Sequence, residues 1–348
     1  MASSHSADRA ELTSSGIKKI GVVGAGVTGS RIIDQLCSTG HDHVLLYDTK
    51  ALVAQRLANV RRRDSASVRT ASWHELLSAS SGVSVVVLSC AAPHAQLARQ
   101  LLSAKISVVS LSDDVSDVLE LLELHEIATV NGATLIVGAA SSPGMSGLLL
   151  RHLADSFDSI DEVHVALHGT GGPDCARQHH RALSGQSIGW HDHDWIRRPA
   201  GSGRELCWFP PPIGAYDCYR AEVPDPLLLK RAAPELQRVT ARVSATRRDR
   251  VTARLPMLAA PNQEGGLGGL RIEARGMRNG ERSMAVLGVA ERIAQVAGVV
   301  AATTAAALLS GEIDVRGARV LGEAALPNEM LLRRVLNGGV RLHEFVGA

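Results

Sequence analysis

The chain has 348 residues, 45% of them apolar and 21% charged, with a formal net charge of +2. This is enough for two domains and a large core, and nothing in it suggests a fibre or a repeat array. The 37 basic residues are dispersed, with Arg61 to Arg63 the one triplet, so no electrostatic footprint for nucleic acid is present.

Residues 1 to 16 are rich in Ser, Ala and charge and lack the apolar stretch of a signal peptide; they are expected to form a disordered tail. Next comes an apolar strand (Ile20 to Val23), a turn in which Gly24, Gly26 and Gly29 fit G-x-G-x-x-G, and an amphipathic helix carrying Ile32, Ile33 and Leu36. A second strand (Val44 to Tyr47) ends in Asp48. In that context the motif is a dinucleotide-binding turn: one glycine for the bend, one for backbone approach to a pyrophosphate, one for helix packing on strand. The phosphate would sit on the helix N-terminus, whose free N–H groups and positive dipole end favour an anion.

Helix and strand then alternate. Ala51 to Val60, Gln96 to Leu102 and Val115 to Leu124 read as helices, and Val83 to Leu88, Ser107 to Leu111 and Thr134 to Val137 as strands. The uninterrupted apolar run of Val83 to Leu88 suits a strand buried on both faces. The pattern predicts a Rossmann-type α/β domain, a doubly wound parallel sheet. The loops after Leu88, Leu111 and Val137 then open on the same crevice as the glycine turn. A proline turn and helix (Gly138 to Phe157) close this unit.

Beyond it, apolar and polar residues alternate in Glu162 to Leu167, Val239 to Ala245, Arg250 to Leu255 and Leu270 to Ala274, as in strands covered on one face. Asn279-Gly280 is the expected centre of a hairpin turn. These segments predict an inserted α+β substrate domain with a mostly antiparallel sheet. Ala290 to Leu309 reads as helix, its apolar run Ala294 to Leu309 being too short and too polar to span a bilayer and better read as buried, and Leu331 to Leu336 reads as a short helix. The expected domains are therefore 17–157, completed by 290–348, for the cofactor, and 158–289 for substrate and dimerisation.

The middle stretch is unusual in composition. Six of the ten aromatic residues (Trp190, Trp195, Trp208, Phe209, Tyr216, Tyr219) and six of the fourteen histidines (His164 to His193) lie there, among many Gly and Pro. Such a stretch reads as loops that line a substrate pocket or a subunit contact.

The strand into the glycine turn, the segment GAASSPGMSGLL and the closing GEAALPNEMLLRRVLNGGVRLHEF together resemble the saccharopine dehydrogenase family in its glutamate-forming branch. The likeness covers 17–157 and roughly 290–348. It implies a cofactor domain, an inserted substrate domain with a mixed sheet, and hydride transfer between a nicotinamide and an imine carbon. Ser142 stands where that family commonly has an acid, which leaves the substrate open.

Independently of the resemblance, the cofactor contacts expected from the turn are Gly24, Ala25, Gly26, Val27, Thr28, Gly29, Asp48 and Thr49. The small-residue loops Cys90, Ala91, Ala92 and Gly138, Ala139, Ala140 would line the nicotinamide side. Asp48 is placed to accept from both ribose hydroxyls and would repel a 2'-phosphate, favouring NAD over NADP, with Lys50 and Arg56 the residues that could reverse this. A carboxylate-bearing small-molecule substrate calls for an arginine; Arg177, Arg204 and Arg220 are the candidates, with Ser142 beside them. For the proton the candidates are His168, His193, Tyr216 and Asp217. His179-His180 and the run His191 to Asp194 do not have the spacing from which a metal site is expected. Five cysteines with no C-x-x-C pair read as reduced thiols in a cytoplasmic protein, expected as a homodimer without nucleic-acid or membrane partners. The alternatives are a two-domain dehydrogenase acting on a C–OH group and a non-catalytic NAD-sensing protein.

Overall fold

The computed structural model describes residues 18–41, 43–62, 67–257, 261 and 263–345; the tail expected over 1–16 lies outside them. The first six strands are β1 (Lys19–Val23), β2 (His43–Tyr47), β3 (Ser67–Thr70), β4 (Val83–Leu88), β5 (Ser107–Ser110) and β6 (Thr134–Val137). Helices return the chain between most of them. In β4, Val85 and Val87 point into one apolar layer while Val86 and Leu88 point into the other. Period-two alternation of wholly apolar residues thus buries both faces, as the sequence predicts.

The second sheet follows: β7 (Ser159–His168), β8 (Gln186–His191), β9 (Asp194–Pro199), β10 (Glu205–Phe209), β11 (Gly214–Arg220), β12 (Arg238–Ser244), β13 (Leu267–Arg278) and β14 (Glu281–Arg292). After the helix Ile293–Ser310 come β15 (Gly317–Val320) and β16 (Leu342–Glu344). The first sheet has the order β15-β6-β5-β4-β1-β2-β3 and is parallel throughout. The second runs β10-β11-β12-β7-β13-β14-β16, with β8 paired to β12 and β9. It is antiparallel except where β12 runs beside β7.

Two expectations change. Arg250 to Leu255 is not a strand: the helix Arg247–Thr252 occupies it, started by a capping box in which Thr246 and Asp249 exchange bonds. The middle stretch is not a set of loops: β8 to β11 form two hairpins, so its glycines and prolines mark turns between strands. The strand β16, at the end of the 290–348 stretch, pairs with β14 of the second sheet rather than with the first. The Asn279-Gly280 turn is present, both residues at positive φ (53° and 79°), joining Arg278 to its partner Glu281.

The helix Ile293–Ser310 is long and apolar enough to cross a membrane by composition, yet most of it is buried within the fold. It packs on the helix Val27–Ser38 that follows the glycine turn. A Cβ on Gly298 would meet the Arg31 Cβ at 2.6 Å, so this glycine sets how closely the two helices approach.

Candidate functional site

The three motif glycines have three different surroundings. Gly24 has φ 104°, a conformation costly for other residues, and a Cβ there would lie 2.7 Å from the Cys90 nitrogen. A Cβ on Gly29 would stand 1.9 Å from the Gly24 carbonyl oxygen, so helix and strand pack as the motif requires. Gly26 has nothing within 4 Å of its notional Cβ and lines the crevice, so a phosphate could meet backbone there. No side chain caps the helix Val27–Ser38 and no acid stands in its first turn, which leaves its N–H groups available to an anion.

Asp48 follows β2 and is tied to this turn. One carboxylate oxygen accepts from Ala25 N–H at 2.8 Å and the other from Lys50 N–H at 2.7 Å. Thr49 beside it is exposed, whereas Lys50 and Val53 line the crevice.

The loop after β4 is set by a residue the sequence reading did not single out. His94, fully buried, places Nε2 at 2.9 Å from the Cys90 carbonyl and Nδ1 at 2.9 Å from Ser110 Oγ. A carbonyl can only accept, so Nε2 carries the hydrogen and Nδ1 accepts from the Ser110 hydroxyl. Asp117 Oδ1 accepts from His94 and Ala95 N–H and so holds the next helix start. Cys90, Ala91 and Ala92 are thereby fixed as one wall of the crevice. Burial pushes the Cys90 thiol up to about 11, which keeps it protonated and unreactive at neutral pH.

On the opposite wall the loop after β6 divides. Gly138 and Ala139 do not line the crevice. A Cβ on Gly138 would strike Leu228 and Pro143, and Ala139 is fully buried, so these two are packing residues. Ala140, Ser141 and Ser142 face the opening. Ser142 and Ser146 both donate to Asp225 Oδ1, the latter at 2.7 Å. A carboxylate from the helix Asp225–Ala232 thus stands against the serine that replaces the acid implied by the resemblance. Burial raises the Asp225 pKa.

The helix Pro173–Ala182, which the sequence pattern did not reveal, forms the far side. It brings Cys175, Arg177, His179 and Arg181 to the crevice, where Asp113 also projects from the turn after β5. The whole space is about 690 Å³. It adjoins a second cavity of about 700 Å³ between that helix, β10 to β12 and the Thr246–Asp249 cap, and Gly169 and His179 belong to the walls of both. Such volumes suit a metabolite and part of a dinucleotide.

The second cavity gathers three of the four residues proposed for the proton. The His168 ring stacks on Tyr216 with centroids 3.9 Å apart, and its Nδ1 lies 2.9 Å from Ser244 Oγ. Burial lowers the His168 pKa, keeping the ring neutral at pH 7. Asp217 lines the same cavity and is bridged at 2.9 Å by Arg204. His193 is elsewhere: it sits exposed in the β8–β9 turn with φ 72°. Of the three arginines, Arg177 lines the crevice, bonded to Asp174 at 2.5 Å. Arg204 is exposed and already paired with Asp217. Arg220 lies over the Ser202-Gly203 turn, with Nη1 3.5 Å from Ser202 Oγ, and lines neither cavity.

Fold and crevice define a class: a parallel sheet with a glycine-turn cradle, and a second, mixed sheet that covers the open end of that cradle. This chain is similar in structure to the L-Glu-forming saccharopine dehydrogenase of Saccharomyces cerevisiae, with a TM-score of 0.70 and 15% identity over 94% of this chain and 99% of that one. It is also similar to the DAP dehydrogenase of C. glutamicum in complex with DAP, with a TM-score of 0.54 and 12% identity over 92% and 98%. No protein-family model and no curated protein matches the sequence. The resemblance read from the glycine turn and the proline-turn segment therefore holds for the fold across nearly the whole chain.

Proposed function

We propose that the protein is an NAD(P)-dependent oxidoreductase that passes hydride to or from a C–N bond of an amino-acid-derived substrate. One observation carries this reading above all: the crevice at Gly26 and the cavity at His168 and Tyr216 adjoin, with Gly169 and His179 in the walls of both. Bound cofactor would supply the hydride at its nicotinamide C4. Gly24, Gly26 and the N-terminus of the Val27–Ser38 helix would hold the pyrophosphate, and Asp48 the ribose hydroxyls, which favours NAD. Cys90 to Ala92 and Ala140 to Ser142 would bracket the nicotinamide.

Arg177 is placed to hold a substrate carboxylate. His168, neutral and oriented by Ser244, is placed to manage the proton on the substrate nitrogen, with Tyr216 fixing the ring. The free cysteines support a reducing, cytoplasmic setting, and the protein is proposed to act as a homodimer.

The test is NADH consumption when a keto acid is mixed with a panel of amines. Activity there, absent with alcohols, is expected. Activity on an alcohol alone would transfer the assignment to C–OH chemistry, and NADH binding without turnover on any panel would leave a sensing protein.

A further inference from the structure

We propose that Asp113, Cys175 and His179 form a site for one divalent transition-metal ion, zinc by the chemistry of its donors, at the junction of the crevice and the second cavity. Cys175 and His179 are four apart on the helix Pro173–Ala182 and so share a face. Asp113 comes from a different element, the turn after β5. One donor atom of each residue lies within 4.8 Å of the other two. The Cys175 Sγ to His179 Nε2 distance is 3.8 Å, and Nε2 to Asp113 Oδ2 is 4.0 Å. Around a tetrahedral zinc with bonds of about 2.0–2.3 Å, donor atoms stand roughly 3.3–3.6 Å apart. The Cys175 to Asp113 donor separation is within 4.8 Å, so side-chain rotations that move donors by up to about an ångström would close the set.

The state of His179 adds to that geometry. His179 is 8% exposed, its Nδ1 has no hydrogen-bond partner, and the two neighbours of Nε2 are beyond the distance of a strong hydrogen bond. The imidazole is thus held only by Nε2, whose two neighbours are the other members of the set; a metal on Nε2 would replace these long contacts with a short bond. Thiolate with imidazole and carboxylate is a borderline-soft donor set, suited to zinc and not to magnesium or calcium. Three protein ligands leave a fourth position, which faces the crevice where a water or a donor atom of a small molecule can bind.

The site shares a wall with the hydride-transfer crevice, but its test needs no turnover. The full-length protein, stripped with chelator, is titrated with Co²⁺ and followed by absorption. One equivalent is expected to give the intense visible bands of tetrahedral cobalt and a near-ultraviolet thiolate-to-cobalt band, both lost on adding zinc. Cys175→Ser, close to isosteric, should abolish the thiolate band, and Asp113→Asn and His179→Gln should each weaken binding at least tenfold. A weak octahedral spectrum, or binding unchanged in Cys175→Ser and His179→Gln, would overturn the proposal.

Discussion

The two halves of the crevice are built on different principles. In the cofactor half the chemistry is done by backbone: the N–H groups at a helix start, exposed because Gly26 has no side chain. Its phosphate and ribose contacts fall between β1 and Asp48. In the proposed substrate half the chemistry would be done by side chains. His168 ends β7, Tyr216 lies on β11, Ser244 ends β12 and His179 sits on the intervening helix Pro173–Ala182. They meet only because β12 lies parallel beside β7 with β11 on its other edge. A backbone site has to be local in sequence, whereas a side-chain site needs only a sheet to assemble it.

The largest effects should come from breaking the cofactor half, and two glycines separate its fold from its binding. Gly29→Ala places a Cβ against the Gly24 carbonyl, a clash with backbone that cannot be relieved by rotation. It should cost about 1–3 kcal/mol of stability and remove NADH binding altogether. Gly26→Ala meets no atom, so its melting temperature should stay at the wild-type value. NADH should nonetheless bind at least roughly tenfold more weakly, a loss of about 1.4 kcal/mol. Thermal melts and NADH fluorescence titrations of both variants check this. Equal melts would remove the packing role of Gly29, and unchanged affinity in Gly26→Ala would move the pyrophosphate elsewhere.

That contrast also explains what was legible in the sequence. The strands of the parallel sheet, the glycine turn and Asp48 were readable because local pattern marks each of them, and the small residues after β4 pointed to the Cys90–Ala92 wall. His94 was not: its role rests on Ser110 and the Cys90 carbonyl, and nothing in its own neighbourhood shows that. Asp225 was missed for the same reason, since it meets Ser142 and Ser146 from about eighty positions away and only after the helix Asp225–Ala232 has docked. The four strands β8 to β11 were hidden by their own turns, whose glycines and prolines made the stretch look irregular. Gly138 and Ala139 went the other way. Small residues after a strand suit a ligand wall and tight packing equally, and the Leu228 and Pro143 side chains decide for packing.

The next effect tests the substrate half. His168→Asn keeps a polar side chain able to reach Ser244 but loses the titrating ring, and kcat should fall roughly 10²–10³-fold with NADH affinity retained. The pH dependence follows from burial. The folded-state pKa of His168 is lowered from 6.5, so the neutral ring persists at pH 7. Its contribution to stability is present above pH 6.5 and is lost as pH falls through the lowered value. A kcat/KM profile flat near neutrality with an acid limb below 6.5 is expected, and His168→Asn should remove that limb. An acid limb that survives in His168→Asn would take the titration away from His168.

Asp48→Ala should act more gently, because it removes one contact from a cradle otherwise intact. The Ala25 and Lys50 N–H groups lose their acceptor, at about 1 kcal/mol of stability given their access to water. NADH affinity should fall roughly tenfold and NADPH affinity far less, since the lost carboxylate no longer repels a 2'-phosphate. Equal losses for the two cofactors would take the ribose role away from Asp48.

The smallest effect is the one that separates His168 from the histidine left outside the site. His193 sits at φ 72° in a two-residue turn, after Asp192 at φ 46°, the backbone of a type I′ turn in which glycine is favoured. His193→Gly therefore relieves a left-handed strain while removing an exposed ring. The native gain should exceed the extra freedom given to the unfolded chain by a few tenths of a kcal/mol at most, seen as a melting temperature equal to or slightly above wild type. Turnover and the acid limb should not change. A loss of kcat in His193→Gly would mean that the β8–β9 hairpin reaches a second copy's cavity, placing a turn that is exposed in this chain at a site shared between two copies.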